Sequence, residues 1–467
     1  MVKKKEHIIE KVLVADIGAQ GKAIARVDNL VTFVSGALPG DVVDIRITRK
    51  RKSWQEGKTV YFHSYSDLRT IPFCEHFGVC GGCRWQDLQY ASQLKYKQQE
   101  VSGALKHIGR IADPPVRPII ASEKTRFYRN KMEFTFSARR WLEISEISGG
   151  QPVADHRALG LNVHGLFDRV LDLKNCYLQA EPSNAIRLSV RDYALHNGLG
   201  FYDDRMQSGL LRNLIIRTTV AGEVMVIVVL REENERAIKG LLGHLQREFP
   251  GINSLIFVIN PKANDSVHDL QAHCFSGQDH LTETMDGITF RIGPKSFFQT
   301  NTTQALTMYR LVQEYAQLTG QETVYDLYTG AGTIAIFLAS SAHKVIGIEY
   351  IGEAIADARQ NALANGITNV SFVAGDIKDV MDEAFMSEHG RPEVVITDPP
   401  RAGMHPAVVK ALLAAAPQRI IYVSCNPATQ SRDIALLSER YLLQIAQPID
   451  MFPHTYHVEN VAVMERK

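Results

Sequence analysis

Over residues 8–62 apolar and polar positions alternate in short bursts broken by Gly21, Gly36, Pro39-Gly40 and Gly57. This period of two predicts a small antiparallel β-barrel and leaves no competing helix pattern. Residues 86–108 switch to helical spacing, with Lys and Gln between the apolar positions, and Asp113-Pro114-Pro115 ends that element ahead of a linker. From Tyr128 to about residue 289 strand pairs with interposed helices are expected: strands at 211–218, 224–230 and 255–259, and a helix at 232–248. From residue 323 onward β-rich runs at 323–328, 344–350, 370–374, 394–397 and 419–424 alternate with helical runs, and 460–465 reads as a closing edge strand. That alternation predicts a parallel, doubly wound sheet, in which ligands bind beyond the carboxyl ends of the strands.

The length of 467 residues suggests about three domains, expected at 1–63, 64–285 and 286–467. With 45% hydrophobic and 22% charged residues, wholesale disorder, a fibrous repeat and a coiled coil are excluded. The even total of 52 basic and 51 acidic side chains conceals an asymmetry: residues 1–140 carry 25 Lys/Arg against 14 Asp/Glu, and the remainder 27 against 37. A basic amino-terminal third suits a polyanionic partner. The start, Met1 to His7, leads into no apolar stretch of signal-peptide length, and the run Val224–Leu230 is too short to span a bilayer. A cytoplasmic chain without a membrane partner is therefore expected, and no obligate protein partner is evident.

Within the barrel, Arg49-Lys50-Arg51-Lys52 with Trp54 gathers four cations and an aromatic ring at one hairpin, chemistry that suits phosphates and a stacked base. The segments from Ile17-Gly18-Ala19-Gln20-Gly21 to Arg26, and from Val34-Ser35-Gly36 through Ala37-Leu38-Pro39-Gly40-Asp41, resemble the RNA-binding TRAM domain, an OB-like barrel. The resemblance makes RNA the expected polyanion.

Cys74, Cys80 and Cys83 lie within ten residues in a glycine-rich loop, and Cys176 stands well downstream. Four thiolates can close a metal site; Gly78, Gly81 and Gly82 allow tight folding and leave room for inorganic sulfide, so an iron–sulfur cluster is favoured while zinc stays open. The spacing does not match the three-cysteine loop of enzymes that reductively cleave S-adenosylmethionine. Full ligation would leave no open iron, so the cluster is read as structural or as shaping the RNA surface.

Val324-Tyr325-Asp326-Leu327-Tyr328-Thr329-Gly330-Ala331-Gly332 joins a strand to a helix through two glycines, where a ligand can approach the backbone. Gly330 and Gly332 are candidate cofactor contacts. Ala335 completes a dinucleotide fingerprint and keeps a nicotinamide or flavin enzyme in play. Glu349 ends the next strand, where a carboxylate accepts from ribose hydroxyls. Asp326, Asp376 and Asp398 at successive strand ends favour a sulfonium cofactor, S-adenosylmethionine, over a pyrophosphate. Capping the local backbone is an equally good reading of Asp326 and Asp376.

Asp398-Pro399-Pro400-Arg401 follows the fourth strand, and Val423-Ser424-Cys425-Asn426-Pro427 puts a thiol at the end of the fifth, which makes Cys425 a candidate nucleophile. A carbon such as C5 of uracil becomes nucleophilic only when a thiolate adds at C6; a base must then remove the C5 proton, and Glu459 is the candidate. Arg401 is placed to stabilise an enolate oxygen. Cys274, with no acid or glycine loop near it, is read as packing.

Ser296-Phe297-Phe298-Gln299-Thr300-Asn301, Tyr325-Asp326-Leu327-Tyr328, Thr397-Asp398-Pro399-Pro400-Arg401, Ser424-Cys425-Asn426-Pro427 and Met451-Phe452-Pro453-His454 together resemble the RNA uracil-C5 methyltransferase family. The resemblance spans nearly the whole chain. It implies that Gln299, Tyr328, Glu349 and Asp398 contact S-adenosylmethionine, that Cys425 is the nucleophile and that Glu459 is the proton acceptor. The four cysteines resemble those of cluster-containing bacterial members acting on 23S ribosomal RNA, which implies a 4Fe-4S cluster. The implied architecture is a multidomain α/β chain: a TRAM barrel, a central α/β iron–sulfur domain and a C-terminal Rossmann-like methyltransferase domain, against which residues 86–123 can pack. Arg129 and Lys131 of Tyr128-Arg129-Asn130-Lys131, with Arg401 and Arg49 to Lys52, are candidate RNA contacts, and Phe297, Phe298 and Trp54 candidate stacking partners for a flipped base. The rival readings are a transfer-RNA methyltransferase, a cytosine-C5 enzyme, which would place cysteine where Arg401 stands, and a catalytically idle RNA-binding assembly factor.

Overall fold

The computed structural model describes residues 7–148 and 155–467, so Lys3, Lys4 and Lys5 of the chain start lie outside the described residues. Ile8–Ile17, Ala23–Val27, Leu30–Ser35, Val42–Lys50 and Trp54–Ser64 close into a five-stranded barrel. Its alternating apolar positions, among them Val14, Ala25, Val43 and Ile45, point inward and fill it. A Cβ at Gly57 would stand 2.1 Å from the Ile45 side chain, so the barrel closes as tightly as it does only around glycine. The barrel is docked through its glycine turn. Gly21, at φ +70°, would place a Cβ 2.7 Å from the Tyr456 side chain and 3.0 Å from the Trp85 ring, and the Gln20 N–H donates to Glu100 (3.3 Å).

A seven-stranded sheet forms the centre of the chain, in the spatial order Ala272–Gly277, Ser254–Ile259, Val224–Leu230, Leu211–Thr218, Lys131–Ser137, Ala158–Asn162, Val170–Asp172. Helices Ser183–His196 and Glu235–Glu248 share one hydrophobic core with it. The second helix starts at Glu235 because Asn234 caps it, accepting from the Ala237 N–H at 3.0 Å. Cys274, expected as packing, lies instead exposed on the edge strand, because its side chain points away from the core. The hairpin Leu281–Met285 and Ile288–Ile292 spans the boundary expected at 285/286, so the two halves of the chain are joined through paired strands there.

The C-terminal sheet has the spatial order Val370–Ala374, Lys344–Glu349, Thr323–Leu327, Val394–Thr397, Arg419–Ser424, Glu459–Arg466, Tyr441–Ile449. Five parallel strands are those expected. The last strand is not at the edge: it inserts antiparallel between Arg419–Ser424 and Tyr441–Ile449. Its buried run Asn460 to Met464 needs cover on both sides, whereas Tyr441–Ile449, with exposed Leu442 and Gln444, tolerates the border. Beyond that border the segment expected as a linker forms parallel bridges, Val116 to Ala446 and Ile120 to Ile449. Helix Tyr90–His107 lies against helix Pro427–Leu437, and its fully buried Lys97 donates to Asp450 (2.6 Å) and to the Phe452 carbonyl (3.0 Å). Among the described residues no helix is long and apolar enough to cross a membrane.

Candidate active site and cysteine cavity

Strand register assembles the first site. Leu327 pairs with Ile348 on one side and with Thr397 on the other, so Tyr328, Glu349 and Asp398, each one position further, emerge side by side at the carboxyl edge. Ser424 pairs antiparallel with Asn460, which sets Cys425, just past its strand, opposite Glu459, the first residue of its own. Residues scattered over more than a hundred positions thus meet at one sheet edge.

On the cofactor side, Tyr328 leaves the strand at φ +63°, and burial pushes its hydroxyl up to about 12. Glu349 accepts from the Gly330 N–H (3.2 Å) and the Ile351 N–H (2.9 Å), tying the glycine turn to the next strand. The two glycines differ. A Cβ at Gly330 would meet open space, while one at Gly332 would stand 2.8 Å from the Phe372 ring and 2.9 Å from Ala358. Gly330 therefore leaves room for a ligand at the turn, and Gly332 is required for packing. Asp326 accepts from Thr329 (2.5 Å) and from the Ala335 N–H (3.1 Å), so it braces the turn from within. Asp376 caps the short helix Ile377–Val380 and pairs with Lys378. Gln299 is buried, and Asn130 holds its carbonyl at 2.8 Å while also bonding Thr302 (2.9 Å). Of the two phenylalanines before it, Phe298 is core and Phe297 is exposed.

At the reaction centre Cys425 faces Glu459, Arg401 and Asp398. Burial pushes its thiol up to about 11, the two carboxylates push the same way, and the Arg401 guanidinium opposes them by charge and a hydrogen bond to the sulfur. Arg401 thus acts on the candidate nucleophile, a placement that its sequence position did not suggest. Asn426 and Thr429 hold its carbonyl at 2.9 and 3.2 Å. Burial and the neighbouring Asp326 push Asp398 up to about 7. Burial first, then Asp398, holds the Glu459 carboxyl well above the usual range, with Arg401 opposing.

Sequence reasoning gave no role to several neighbours. The buried Tyr309 faces Asp398, Asp326 and Glu459, and its hydroxyl is raised by burial and by these charges. Burial, with Arg401 and other cations, lowers His457 to about 4. The signal for His457 was available, since it stands two residues before Glu459; Tyr309, mid-helix among apolar residues, carried none. Arg129 lies over the Phe452 ring (5.3 Å), and Lys131 pairs with Glu133 at 4.0 Å. In the barrel, Arg49, Lys50, Arg51 and Lys52 are exposed on their hairpin. Arg49 covers Trp54 at 5.3 Å and Phe33 meets the same ring edge-on, so Trp54 is packed into the barrel wall.

Cys74, Cys80, Cys83 and Cys176 line a second, separate cavity together with His76 and Gln86. Gly81 permits the close fold: its N–H donates to the Asn162 carbonyl (2.9 Å), and a Cβ there would stand 2.6 Å from that oxygen. Burial raises all four thiols, Cys80 to about 12 and Cys83 to about 11, and other sulfurs of the group add to it at Cys80, Cys83 and Cys176. Four facing sulfurs cannot all ionise without a cationic centre between them. Among the described residues no group of three or more His, Cys, Asp or Glu side chains is arranged to hold a metal ion.

Comparison with known proteins shows which family shares this fold and sequence. Residues 270–467 match the family model for tRNA (uracil-5-)-methyltransferase, and residues 8–60 the TRAM domain. An RNA methyltransferase of Bacteroides thetaiotaomicron is 52% identical over 96% of this chain and 100% of its own length. One of Porphyromonas gingivalis is 49% identical over 97% of this chain and 99% of its own. The crystal structure of the Pyrococcus abyssi tRNA (uracil-54, C5)-methyltransferase with S-adenosyl-L-homocysteine superposes with a TM-score of 0.75 at 25% identity, covering 97% of this chain and 100% of that one. A closed TRAM barrel, an S-adenosylmethionine-type sheet and relatives matched end to end converge on one conclusion: the chain belongs to the family of S-adenosylmethionine-dependent RNA (uracil-5-)-methyltransferases.

Proposed function

We propose that this enzyme methylates C5 of a uridine in 23S ribosomal RNA through a covalent adduct on Cys425. The observation that carries the reading is the pairing of Ser424 with Asn460, which sets a thiol and a buried carboxyl against each other at the cofactor edge. The Cys425 thiolate, favoured by Arg401, adds to C6 of the flipped base; the C5 carbanion takes the methyl group from the donor sulfonium; Glu459 removes the C5 proton; and the C6–sulfur bond breaks to return the thiolate. Holding Glu459 above the usual carboxyl range makes it a stronger base once ionised. Gln299, Tyr328, Glu349, Asp398 and the open side of Gly330 form the donor pocket; Gly332 and Asp376 act through turn packing and capping. Arg129, Lys131 and the cations Arg49 to Lys52 contact RNA. The enzyme works in the cytoplasm, where its RNA substrate is made.

We assign the cysteine cavity to a 4Fe-4S cluster. Four cysteines lining one shared space suit a centre extended by bridging sulfide. Such a group, when bound, supplies positive charge that keeps the four sulfurs ionised. Anaerobic purification should give brown protein containing sulfide; colourless protein with stoichiometric zinc refutes the assignment.

A transfer-RNA substrate is the second reading, favoured by the structural neighbour that acts on tRNA position 54. Mapping 5-methyluridine by mass spectrometry in both RNAs from cells lacking the protein decides: a site missing from 23S RNA supports the first reading, and one missing only from transfer RNA the second.

A further inference from the structure

Helix Ser183–His196 carries Arg187, a fully buried arginine. Its Nη1 donates to the Leu173 carbonyl (2.5 Å) and its Nη2 to the Lys174 carbonyl (2.8 Å), while its Nε has no partner. No carboxylate among the described residues forms an ion pair with it. Asp172 is held by Arg191 at 2.6 Å, and Glu181 accepts from Asn184 and the Ala185 N–H, both at 3.1 Å. A buried cation whose neighbouring carboxylates are engaged by other partners is costly for a fold to keep.

The segment that Arg187 grips runs directly into Cys176, and the same helix takes the Cys176 N–H on Asn184 (2.8 Å). Leu173, Asn175 and Cys176 line the cysteine cavity, so the guanidinium, bonded to the Leu173 and Lys174 carbonyls, lies directly behind its wall. A second arginine repeats the pattern from the other side. Arg129 donates its backbone N–H to the carbonyl of Leu178 (2.8 Å), a residue of the cavity wall, its Nε is buried without a partner, and no ion pair ties it to a described carboxylate.

We propose that Arg187, seconded by Arg129, is the counter-ion of an anionic cluster held by Cys74, Cys80, Cys83 and Cys176, and that it favours one-electron reduction of that cluster by an external donor. The inference rests on the 4Fe-4S assignment above. Four thiolates around an oxidised 4Fe-4S core make a dianion, which two guanidinium groups offset. One added electron makes a trianion, and a fixed neighbouring cation stabilises the trianion more than the dianion.

The test uses full-length protein purified without oxygen, as wild type, Arg187→Met, Arg187→Lys and Arg129→Met. Iron and sulfide are measured on each sample, and the paramagnetic signal of the reduced cluster is recorded per cluster at a fixed ratio of dithionite. The reduced fraction should fall several-fold in Arg187→Met, stay within about twofold of wild type in Arg187→Lys, which keeps the charge, and fall less in Arg129→Met, whose side chain is partly solvated. Should Arg187→Met not fold, Arg129→Met carries the comparison. Equal reduced fractions in every folded variant overturn the counter-ion proposal and leave the cluster standing. Wild-type protein with zinc and no sulfide overturns the cluster assignment instead.

Discussion

The two sites of this molecule are built by opposite means. The carboxyl-edge site is a product of register: once Leu327, Thr397 and Ser424 have their partners, Tyr328, Asp398, Cys425 and Glu459 have no other place to go. The cysteine cavity has no sheet to set it. One irregular loop supplies three thiols, a distant loop the fourth, and side-chain bonds such as Lys174 N–H to His76 (2.9 Å) and Cys176 N–H to Asn184 (2.8 Å) hold them together. A site set by strands keeps its geometry without a ligand, whereas a site of loops draws part of its order from whatever fills it.

The largest expected effect lies at the register-built site. Cys425→Ala should lower methyl transfer by at least ~10⁴-fold and abolish covalent RNA trapping, while donor binding by calorimetry stays near wild type; measurable turnover would remove the thiol from the mechanism. Glu459→Gln comes next, with turnover down by ~10²–10⁴-fold and a protein–RNA adduct accumulating on denaturing gels, because transfer proceeds and elimination stalls. At the loop-built site, Cys176→Ser should strip iron and sulfide and lower the thermal midpoint by several degrees, whereas Cys274→Ser, at an exposed edge, should change neither. If Cys176→Ser leaves the midpoint untouched, the contrast between the two sites fails. The smallest effect is in pH. With the Cys425 thiol pushed up to about 11, the thiolate fraction grows as pH rises, so single-turnover adduct formation should climb by close to about tenfold per unit from neutrality toward pH 9. A plateau near pH 7 would mean that bound RNA lowers the thiol.

Much of the register-built site was legible beforehand because parallel strands announce themselves as apolar runs and their chemistry follows immediately after. The ends at Glu349, Asp398 and Cys425 could be read directly. The neighbour of Cys425 could be named, but its placement could not be derived, since the antiparallel insertion of Glu459–Arg466 depends on a border strand, Tyr441–Ile449, whose polar Gln444 and Gln447 hide its period. The same holds for residues 116–120, taken as a linker: Pro114, Pro115 and Pro118 mask a segment that bridges to that border. Asp326 and Asp376 illustrate another limit. An acid at a strand end can serve a ligand or the backbone, and only the Thr329, Ala335 and Lys378 partners decide. Arg187 was invisible for a related reason, since an arginine spaced among apolar helix positions gives no hint that it is sealed inside.

The corner where Gly21 meets Trp85 and Tyr456 has a geometric corollary. With the barrel wedged there, its cationic hairpin and Cys425 stand like the jaws of a caliper. If the hairpin grips RNA as proposed, the nucleotide that reaches Cys425 lies a set length along the strand, and target choice becomes partly a measurement of length. Enlarging Gly21 would reset the gauge before it altered any chemistry.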